Sequence, residues 1–416
     1  MEIQRDSYIE KLIIRKHNNM IKIITGIHRC GKSYLLFNLF KNHLLSTGVK
    51  LDHIIELSLD DISNKKYRNP ENLYNYVKSL IIDDDMYYVL LDEVQMVTGF
   101  EDVLNGFLHI KNVDTYVTGS NAKFLSKDII TEFRGRGDQI HIYPLSFNEF
   151  YSYVQGDKSI ALRNYMYYGG LPQIVAMVTY EQKQSYLINL FLETYITDII
   201  NRNNVKNDEE MQELLNVLSS SIGSLTNPKK LSDTFKSVKH VDISSPTIKN
   251  YLDYFMDSFL IDKALRYDIK GKKYIDTPSK YYFTDLGLRN ARLNFRQIED
   301  THLLENVIYN ELKVRGFSVD VGIVTISEKD TNGKQVRKQL EVDFVCNKAD
   351  VRYYIQSVLS IPDREKLVQE QRSLININDS FRKIIITNDN VIAHYNEEGI
   401  LIINIFDFLL NPDILK

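Results

Sequence analysis

The sequence predicts an α/β protein, with a parallel β-sheet near the N-terminus and a smaller α/β domain near the C-terminus. Between residues 21 and 143, amphipathic stretches separate the short apolar runs IKIIT, HIIELSL, YYVLLDE, DTYVTG and QIHIY. Runs of this length between helices are typical of strands that helices cover on both faces. After residue 285 the pattern returns to mixed helix and strand. A chain of 416 residues exceeds one ordinary core, so we expect about two to four domains.

The composition predicts a globular protein without a uniformly basic surface. Hydrophobic residues make up 44% of the chain and the net charge is −4, which leaves room for a local basic patch only. The two cysteines, Cys30 and Cys346, lack the spacing of a zinc site and suit a reducing cytosol. The N-terminal segment MEIQRDSYIEK has no apolar core, and no apolar run approaches the roughly 20 residues of a membrane span. We therefore expect a cytoplasmic protein with no membrane partner.

A phosphate-binding loop is predicted at Gly26–Ser33, whose sequence GIHRCGKS fits the pattern G-x-x-x-x-G-K-[ST]. In such a P-loop, backbone N–H groups and the following helix N-terminus attract phosphates. Lys32 is expected to reach the β- and γ-phosphates, and the Ser33 hydroxyl to coordinate Mg²⁺. The alternative, an accidental glycine-rich turn, is disfavoured by the flanking strand IKIIT and helix SYLLFNLFKNHL. The predicted nucleotide-binding residues are Gly26, Arg29, Cys30, Gly31, Lys32, Ser33 and Tyr34.

Two carboxylates close the apolar strand YYVLLDE, as in a Walker B motif. Asp92 is expected to hold magnesium through water, and Glu93 to orient or deprotonate the attacking water. Two acids that merely cap a strand are the alternative, but the upstream P-loop favours the functional interpretation.

A γ-phosphate sensor and an arginine finger are predicted downstream. The strand DTYVTG runs into Ser120 and Asn121, the place where AAA-type ATPases keep a polar sensor. The alternative role is an N-cap for the helix AKFLSKD. One of Arg134 and Arg136, before the fifth strand, is predicted to act on a neighbouring subunit's ATP, and we favour Arg136; surface solvation or phosphate binding is the alternative. The predicted catalytic residues are Lys32, Glu93, Asn121 and Arg136.

A winged helix-turn-helix is predicted within residues 206–285. Ser245 and Pro246 begin a helix with an apolar face, residues 229–235 offer a shorter helix before it, and the segment DIKGKK joins two strands as a basic wing. The alternative is a protein-docking unit, since Asp253, Asp257 and Asp262 dilute the positive charge. The predicted DNA contacts are Lys249, Asn250, Lys270, Lys272 and Lys273.

The C-terminal region carries a carboxylate pattern typical of restriction-endonuclease-like metal sites. Glu305 lies on the apolar face of a helix, where it must be paired, protonated or metal-bound. Glu341 and Asp343 share one side of a strand. Such sites also need an acid-x-Lys strand, but Gln356 and Val358 stand at those two positions. We therefore predict weak Mg²⁺ binding, no lysine and no nuclease activity, with Glu305 and Asp343 as remnants hydrogen-bonded to Gln356.

Nearly the whole chain resembles prokaryotic AAA-like P-loop ATPases in which the P-loop domain precedes a C-terminal domain of unknown function. The loop GIHRCGKS is similar to that family's G-x-R-R-x-G-K-[ST], with His28 in place of the first arginine. Further similar segments are YYVLLDEVQ, TGSNAKFLS, Gly135-Arg136, PLSFNEF, GGLP, SPTIKNYLDYF, KYYFTDLGLRN, Leu304-Glu305-Asn306, EVDF and YIQSV. The resemblance implies ATP binding and hydrolysis, a winged helix and a restriction-endonuclease-like tail.

The predicted domains are an AAA-like P-loop ATPase domain at 1–155, a helical lid or linker at 156–205, a winged helix at 206–285 and an inactive restriction-endonuclease-like domain at 286–416. The leading hypothesis is an Mg²⁺-dependent ATPase that moves its C-terminal modules against a partner. DNA is one candidate partner, and a protein or a second copy of the chain is the other. The second hypothesis is an ATP-gated switch that does not hydrolyse ATP. A metal-dependent nuclease ranks lowest.

Overall fold

The computed structural model of the protein describes residues 3–119, 135–239, 241–329 and 333–415, which form two compact units. The first unit comprises Met1–Leu145 with the short segments Leu171–Gln173 and Asp257–Phe259, and the second comprises the remainder. In the described ranges, no helix combines the length and the apolar character that crossing a bilayer requires. The finer boundaries at 155, 205 and 285 stay predictions.

The first unit contains a five-stranded sheet in which every pairing is parallel, as the sequence predicts. The strands follow the order β2-β3-β4-β1-β5. Their bounds are β1 Ile21–Thr25, β2 Ile54–Ser58, β3 Tyr87–Asp92, β4 Val113–Gly119 and β5 Gly137–His141. The helices are α1 Asp6–Ile14, α2 with the consecutive segments Lys32–Tyr34, Leu35–Phe40 and Lys41–Ser46, α3 Pro70–Leu80 and α4 Phe100–Phe107.

The strand order of this sheet places the predicted motifs side by side. All residues of β1 and β3 are buried, as expected for strands covered on both faces. The P-loop follows β1, Asp92 ends β3, and β4 lies between these two strands. Because parallel strands all end at one edge of the sheet, the three carboxyl ends meet there.

The second unit contains an eight-stranded mixed sheet in the order β12-β13-β11-β10-β9-β8-β6-β7. The strands are β6 Ile261–Asp268, β7 Lys273–Phe283, β8 Ser318–Lys329, β9 Gln335–Lys348, β10 Val351–Val358, β11 Arg382–Thr387, β12 His394–Tyr395 and β13 Leu401–Asn404. The helices before β6 are α5 Phe147–Val154, α6 Lys158–Tyr168, α7 Pro172–Val175, α8 with the segments Tyr180–Asn189, Leu190–Ile196 and Thr197–Asn203, α9 Asp208–Ser220, α10 Pro228–Thr234 and α11 Ser245–Asp257. The later helices are α12 Leu286–Arg292, α13 Asp300–Val314, α14 Arg364–Ile375 and α15 Ile405–Leu410.

The hairpin β6–β7, predicted as a wing, is part of this larger sheet. Residues Arg266–Asp268 of β6 pair in parallel with Val321–Ile323 of β8. The sheet therefore continues across residue 285, where the sequence predicts a domain boundary. The two helices expected before the hairpin are present as α10 and α11.

Helix α12 is held by polar side chains that are themselves buried. Asp285 accepts hydrogen bonds from the backbone N–H groups of Gly170 at 2.8 Å and Leu288 at 3.0 Å. A Cβ atom on Gly169 would lie 2.2 Å from Asp285 Oδ1, so only glycine fits there. The Arg289 Nε donates to the Ser219 carbonyl at 2.7 Å. Gly169 and Gly170 of the segment GGLP thus contact Asp285 of the segment KYYFTDLGLRN, whose polar residues hold helices together.

Asn306 of α13 binds the backbone of β7 with both ends of its amide. Its Oδ1 accepts from the Phe283 N–H at 2.8 Å, and its Nδ2 donates to the Phe283 carbonyl at 2.8 Å. Because Asn306 is fully buried, these two bonds fix the register of α13 against β7. The preceding residue, Glu305, is thereby placed beside β7.

Candidate nucleotide-binding site

The P-loop turns from β1 into α2 through backbone conformations that favour glycine. Gly26 has φ of 150° and Gly31, the N-cap of α2, has φ of 96°. A Cβ atom at Gly26 would lie 2.2 Å from the Ile142 carbonyl oxygen. The two glycines of the motif are therefore required by the turn itself. Arg29 lies between them with a positive φ of 60° and an exposed side chain.

The Lys32 ammonium is buried at the centre of this loop. Its side chain belongs to a residue only 4% exposed, and Nζ donates to the carbonyls of Gly26 at 3.0 Å and Ile27 at 3.1 Å. Among the described residues, these carbonyl oxygens are its hydrogen-bond partners, and no carboxylate neutralises it. A buried cation without a counterion is costly, so an anion that entered the loop would be stabilised.

Cys30 packs inside the loop, and its backbone is held by Arg5, a residue outside the recognised sequence motifs. Its Sγ lies 3.6 Å from the Ile142 carbonyl oxygen, and its own carbonyl accepts from Arg5 Nη1 at 3.0 Å. Arg5 also donates to the Tyr143 carbonyl at 2.9 Å. Sequence reasoning missed Arg5 because it lies before α1, outside any recognisable pattern. Tyr34 is 44% exposed on α2.

The P-loop and the Walker B strand meet through hydrogen bonds to Asp92. Asp92 is buried at the end of β3, and hydroxyl groups of Thr118 and Ser33 bond to its carboxylate. Burial raises the pKa of Asp92, and these two hydrogen bonds act in the opposite direction because they favour the charged form. Ser33 and Asp92, predicted as the metal ligands, are therefore neighbours.

Glu93 lies next to this contact in a left-handed backbone conformation, with φ of 52°. Its N–H donates to the Thr118 hydroxyl oxygen at 3.0 Å, and its carboxylate accepts from the Gln95 side-chain amide. Thr118 thus links the backbone of Glu93 to the carboxylate of Asp92. The sequence pattern predicts a polar sensor at the end of β4, but at Ser120 or Asn121, which follow Thr118.

Of the two remaining predicted catalytic residues, Asn121 and Arg136, the structure describes Arg136 only. Ser120, Asn121 and Arg134 lie outside the described residues. Arg136 is exposed just before β5, and its carbonyl accepts from the N–H of Ile21 at 2.8 Å. That is the opposite end of the sheet from the P-loop, about 13 Å away along the strands. An action of Arg136 on a neighbouring subunit's nucleotide stays a prediction.

The predicted DNA contacts are all exposed but lie in two places. Lys249 of α11 lines a cavity of about 350 Å³ with Lys263 and Tyr281 of the hairpin. Lys270 and Lys272 lie in the turn between β6 and β7, and Lys273 begins β7, so all three are at least five positions along the hairpin from Lys263. At about 3.3 Å per residue the two groups are roughly 16 Å or more apart. The structure does not gather them into one cluster.

A second cluster of charged residues surrounds Lys280 in the other unit. Lys280 is buried, and its Nζ lies 2.8 Å from Glu305 Oε1, 2.8 Å from Glu341 Oε1 and 3.9 Å from Asp343 Oδ1. The hydroxyl of Tyr282 donates to Glu305 Oε1 at 2.7 Å. The prediction that these carboxylates lack a lysine is wrong, because β7 supplies one that is distant in sequence from the position of Val358.

Gln356 does not join this cluster, so the predicted hydrogen bonds to Glu305 and Asp343 are also wrong. Its Oε1 lies 3.5 Å from the Ser373 hydroxyl on α14. Asp343 Oδ2 instead accepts from the backbone N–H of Ser357 at 2.8 Å. The physical reason is that Glu305 already binds the Lys280 ammonium and Asp343 already accepts from the Ser357 N–H, so neither carboxylate needs the Gln356 amide.

Two family models match this chain, and two curated proteins are similar to it over most of its length. A family described as "AAA domain" matches residues 18–151, and a "Domain of unknown function (DUF8612)" matches residues 159–299. An uncharacterized protein of Haemophilus influenzae is 33% identical, with 98% of each chain covered. An uncharacterized protein of Methanocaldococcus jannaschii is 27% identical, over 92% of this chain and 83% of that protein.

Among solved structures, the Aeropyrum pernix ORC1 protein in complex with DNA is similar to this chain. It is 11% identical, covers 70% of this chain and 92% of its own, and has a TM-score of 0.29. At that score the likeness carries no functional argument. The AAA domain match and the parallel sheet indicate nucleotide binding. Neither family description mentions a winged helix or a nuclease, so both stay predictions.

Proposed function

This chain belongs to the family of the Haemophilus influenzae protein and carries an AAA domain, and we propose that it is an Mg²⁺-dependent ATPase. The observation that carries the proposal is the Lys32 ammonium, which is buried against the loop carbonyls of Gly26 and Ile27 without a carboxylate partner among the described residues. A triphosphate would supply the missing negative charge. Backbone N–H groups of such a loop, together with one lysine, bind the phosphates of a nucleoside triphosphate.

The residues around the loop fit a magnesium-bound triphosphate. Ser33 and Asp92 already share a hydrogen bond and would hold the ion, Ser33 directly and Asp92 through water. A bound Mg²⁺ stabilises the negative charge that develops on the transferring phosphoryl group. Glu93, adjacent to Asp92, would orient the attacking water or accept its proton.

The contact between Gln95 and Glu93 favours a second candidate, an ATP-gated switch that hydrolyses slowly or not at all. The Gln95 amide donates to the Glu93 carboxylate, which occupies an acceptor that a water molecule would need. Tight ATP binding with steady-state phosphate release no faster than buffer would support the switch. Measurable turnover that depends on Glu93 supports the ATPase.

The test of the ATPase uses two substitutions and one control. Lys32→Ala should abolish ATP binding, because it removes the ammonium that lies on the carbonyls of Gly26 and Ile27. Glu93→Gln should retain ATP binding but release phosphate at background rate. Lys41→Ala, on the same helix and paired with Glu56 at 2.6 Å, should leave both properties unchanged. Normal phosphate release by Glu93→Gln would overturn the mechanism.

DNA is the partner that we propose for the second unit, supported by exposed lysines at the hairpin turn and on α11. Because these groups are separated, they should act independently. Alanine at Lys270, Lys272 and Lys273 should lower the slope of log affinity against log salt by up to about three phosphate contacts. Lys249→Ala should change it by about one contact. An unchanged slope in both variants would leave a protein partner or self-association as the alternative.

A further inference from the structure

The charged cluster around Lys280 joins three elements of the second unit. Lys280 lies on β7, Glu305 on α13, and Glu341 and Asp343 on β9. Lys280 pairs with Ala264, beyond the irregularity of β6 and outside the segment Arg266–Asp268 that pairs with β8. This part of the hairpin approaches α13, and Asn306 of α13 binds the backbone of β7 at Phe283. The ammonium is therefore positioned by backbone contacts on two sides.

The spacing of the carboxylate oxygens fits an ammonium ion rather than a divalent cation. The two contacts at 2.8 Å, to Glu305 and Glu341, have the length of charge-assisted N–H···O bonds. Oxygen ligands of Mg²⁺ lie at about 2.0–2.1 Å, which would require these oxygens to move closer together. Among the described residues, only His53, Asp83 and Asp85 form a group of three possible ligands within 4.8 Å of one another. The carboxylates around Lys280 do not form such a group.

The other hydrogen bonds of the cluster also satisfy the carboxylates without a metal. Tyr282 donates to Glu305, and the N–H of Ser357 donates to Asp343. Burial, with the negative charge of Glu305, raises the pKa of Asp343 to about 8. A protonated Asp343 would remove one of the three negative charges near neutral pH. The side chain of Glu341 is 36% exposed, so water screens part of its charge.

We propose that the Lys280 ammonium occupies the position that a divalent cation holds in carboxylate centres of this layout, so that the centre works without metal. The three carboxylates then bind the hairpin to α13 and β9 through an internal cation. In this arrangement the second unit does not cleave phosphodiester bonds by metal catalysis. It is suited to hold the basic turn of the hairpin in a fixed orientation.

The proposal is tested by titrating the full-length protein with Mn²⁺ in the absence of nucleotide. Free Mn²⁺ is followed by electron paramagnetic resonance. The wild type, Asp343→Asn and Glu341→Gln should bind the same number of ions, because the Lys280 ammonium already contacts the three carboxylates and occupies the place of an ion. Lys280→Met removes the ammonium that holds the carboxylates apart, so they should draw together and bind one Mn²⁺ per chain. The double variant with Asp343→Asn should lose that ion again.

A matched control is Lys263→Met, which removes a lysine of the same hairpin that has no carboxylate partner among the described residues and should bind no additional ion. Circular dichroism reports whether each variant folds. If Lys280→Met does not fold, the wild type and Glu341→Gln still decide the question. Mn²⁺ binding by the wild type that either carboxylate substitution removes would overturn the proposal. So would a folded Lys280→Met that gains no ion.

Discussion

The Thr118 hydroxyl, near the end of β4, donates a hydrogen bond to the Asp92 carboxylate at the end of β3. The same oxygen accepts from the N–H of Glu93 at 3.0 Å. One side chain therefore orients the acid proposed to hold magnesium and the backbone of the acid proposed to act on water. Because β3 and β4 are paired neighbours, this contact is fixed by the sheet.

Thr118→Val should reduce ATP hydrolysis while the protein remains folded. Valine keeps the shape but loses the donor, which leaves the buried Asp92 with one hydrogen bond fewer. A hydrogen bond to a charged group contributes about 1.5–3 kcal/mol, so kcat should fall by about 10-fold to 100-fold. Steady-state phosphate release measures it. Thr115→Val, on the same strand and also buried, is the control.

The same substitution should shift the pH dependence of hydrolysis. Burial raises the pKa of Asp92, and the Thr118 hydrogen bond lowers it because it stabilises the carboxylate. Removing this bond should raise the pKa further, so the acidic limb of the kcat profile should move to higher pH. A profile that keeps its acidic limb while kcat falls would mean that Thr118 acts on Glu93 alone.

Gln95→Ala should increase basal hydrolysis. The Gln95 amide donates to the Glu93 carboxylate and competes with the attacking water. Releasing a hydrogen bond to a carboxylate, about 1.5–3 kcal/mol, should raise kcat by about 10-fold or more, with little change in KM for ATP. Steady-state phosphate release should show this increase in both dilute and concentrated samples of the protein. A fall in kcat would instead show that Gln95 positions Glu93 for catalysis.

Sequence patterns predict the P-loop and the Walker B strand because each is local. Gly26–Ser33 and Asp92 follow strands whose apolar runs are recognisable alone, and their meeting follows from the rule for parallel sheets. Thr118, Arg5 and Lys280 have no such signal. Lys280 meets Glu341 across 61 positions of sequence, and only the path of the hairpin brings them together. A lysine on another strand cannot be found by a motif that expects acid-x-Lys on one strand.

Asp285 should make the stability of the second unit depend on pH. Burial raises its pKa to about 6, and backbone N–H groups of Gly170 and Leu288 only partly compensate. A carboxyl whose pKa is higher in the folded state than in the unfolded chain stabilises the fold at low pH. For Asp285 this stabilisation is fully present below pH 3.8, its ordinary pKa. This contribution should decline as the pH rises through about 6. The total change is about 3 kcal/mol.

The pH effect of Asp285 is measured by urea unfolding between pH 4 and 7, with Asp285→Asn as the reference. The difference in unfolding free energy between wild type and variant should decrease with rising pH, since asparagine does not titrate. The variant should be less stable at the acidic end, because its NH₂ group faces one of two N–H donors. A difference that stays constant with pH would contradict the assignment.

Asn306→Ala should destabilise the second unit and disturb Lys280. The substitution leaves the N–H of Phe283 without its acceptor at 2.8 Å, while the Phe283 carbonyl keeps the Asn310 amide as a donor at 3.0 Å. One buried N–H without a hydrogen bond costs about 1–3 kcal/mol, which should lower the thermal midpoint by several degrees. Asn310→Ala should have a smaller effect, because Asn310 is only partly buried and contacts the carbonyls of Phe283 and Thr284 alone.

Since Asn306 holds α13 against β7, its loss should also loosen the contact between Glu305 and Lys280. Acetylation of Lys280 by a small reagent, read by mass spectrometry, should then be faster in Asn306→Ala than in Asn310→Ala; equal rates would show that the ammonium cluster holds the hairpin without help from Asn306.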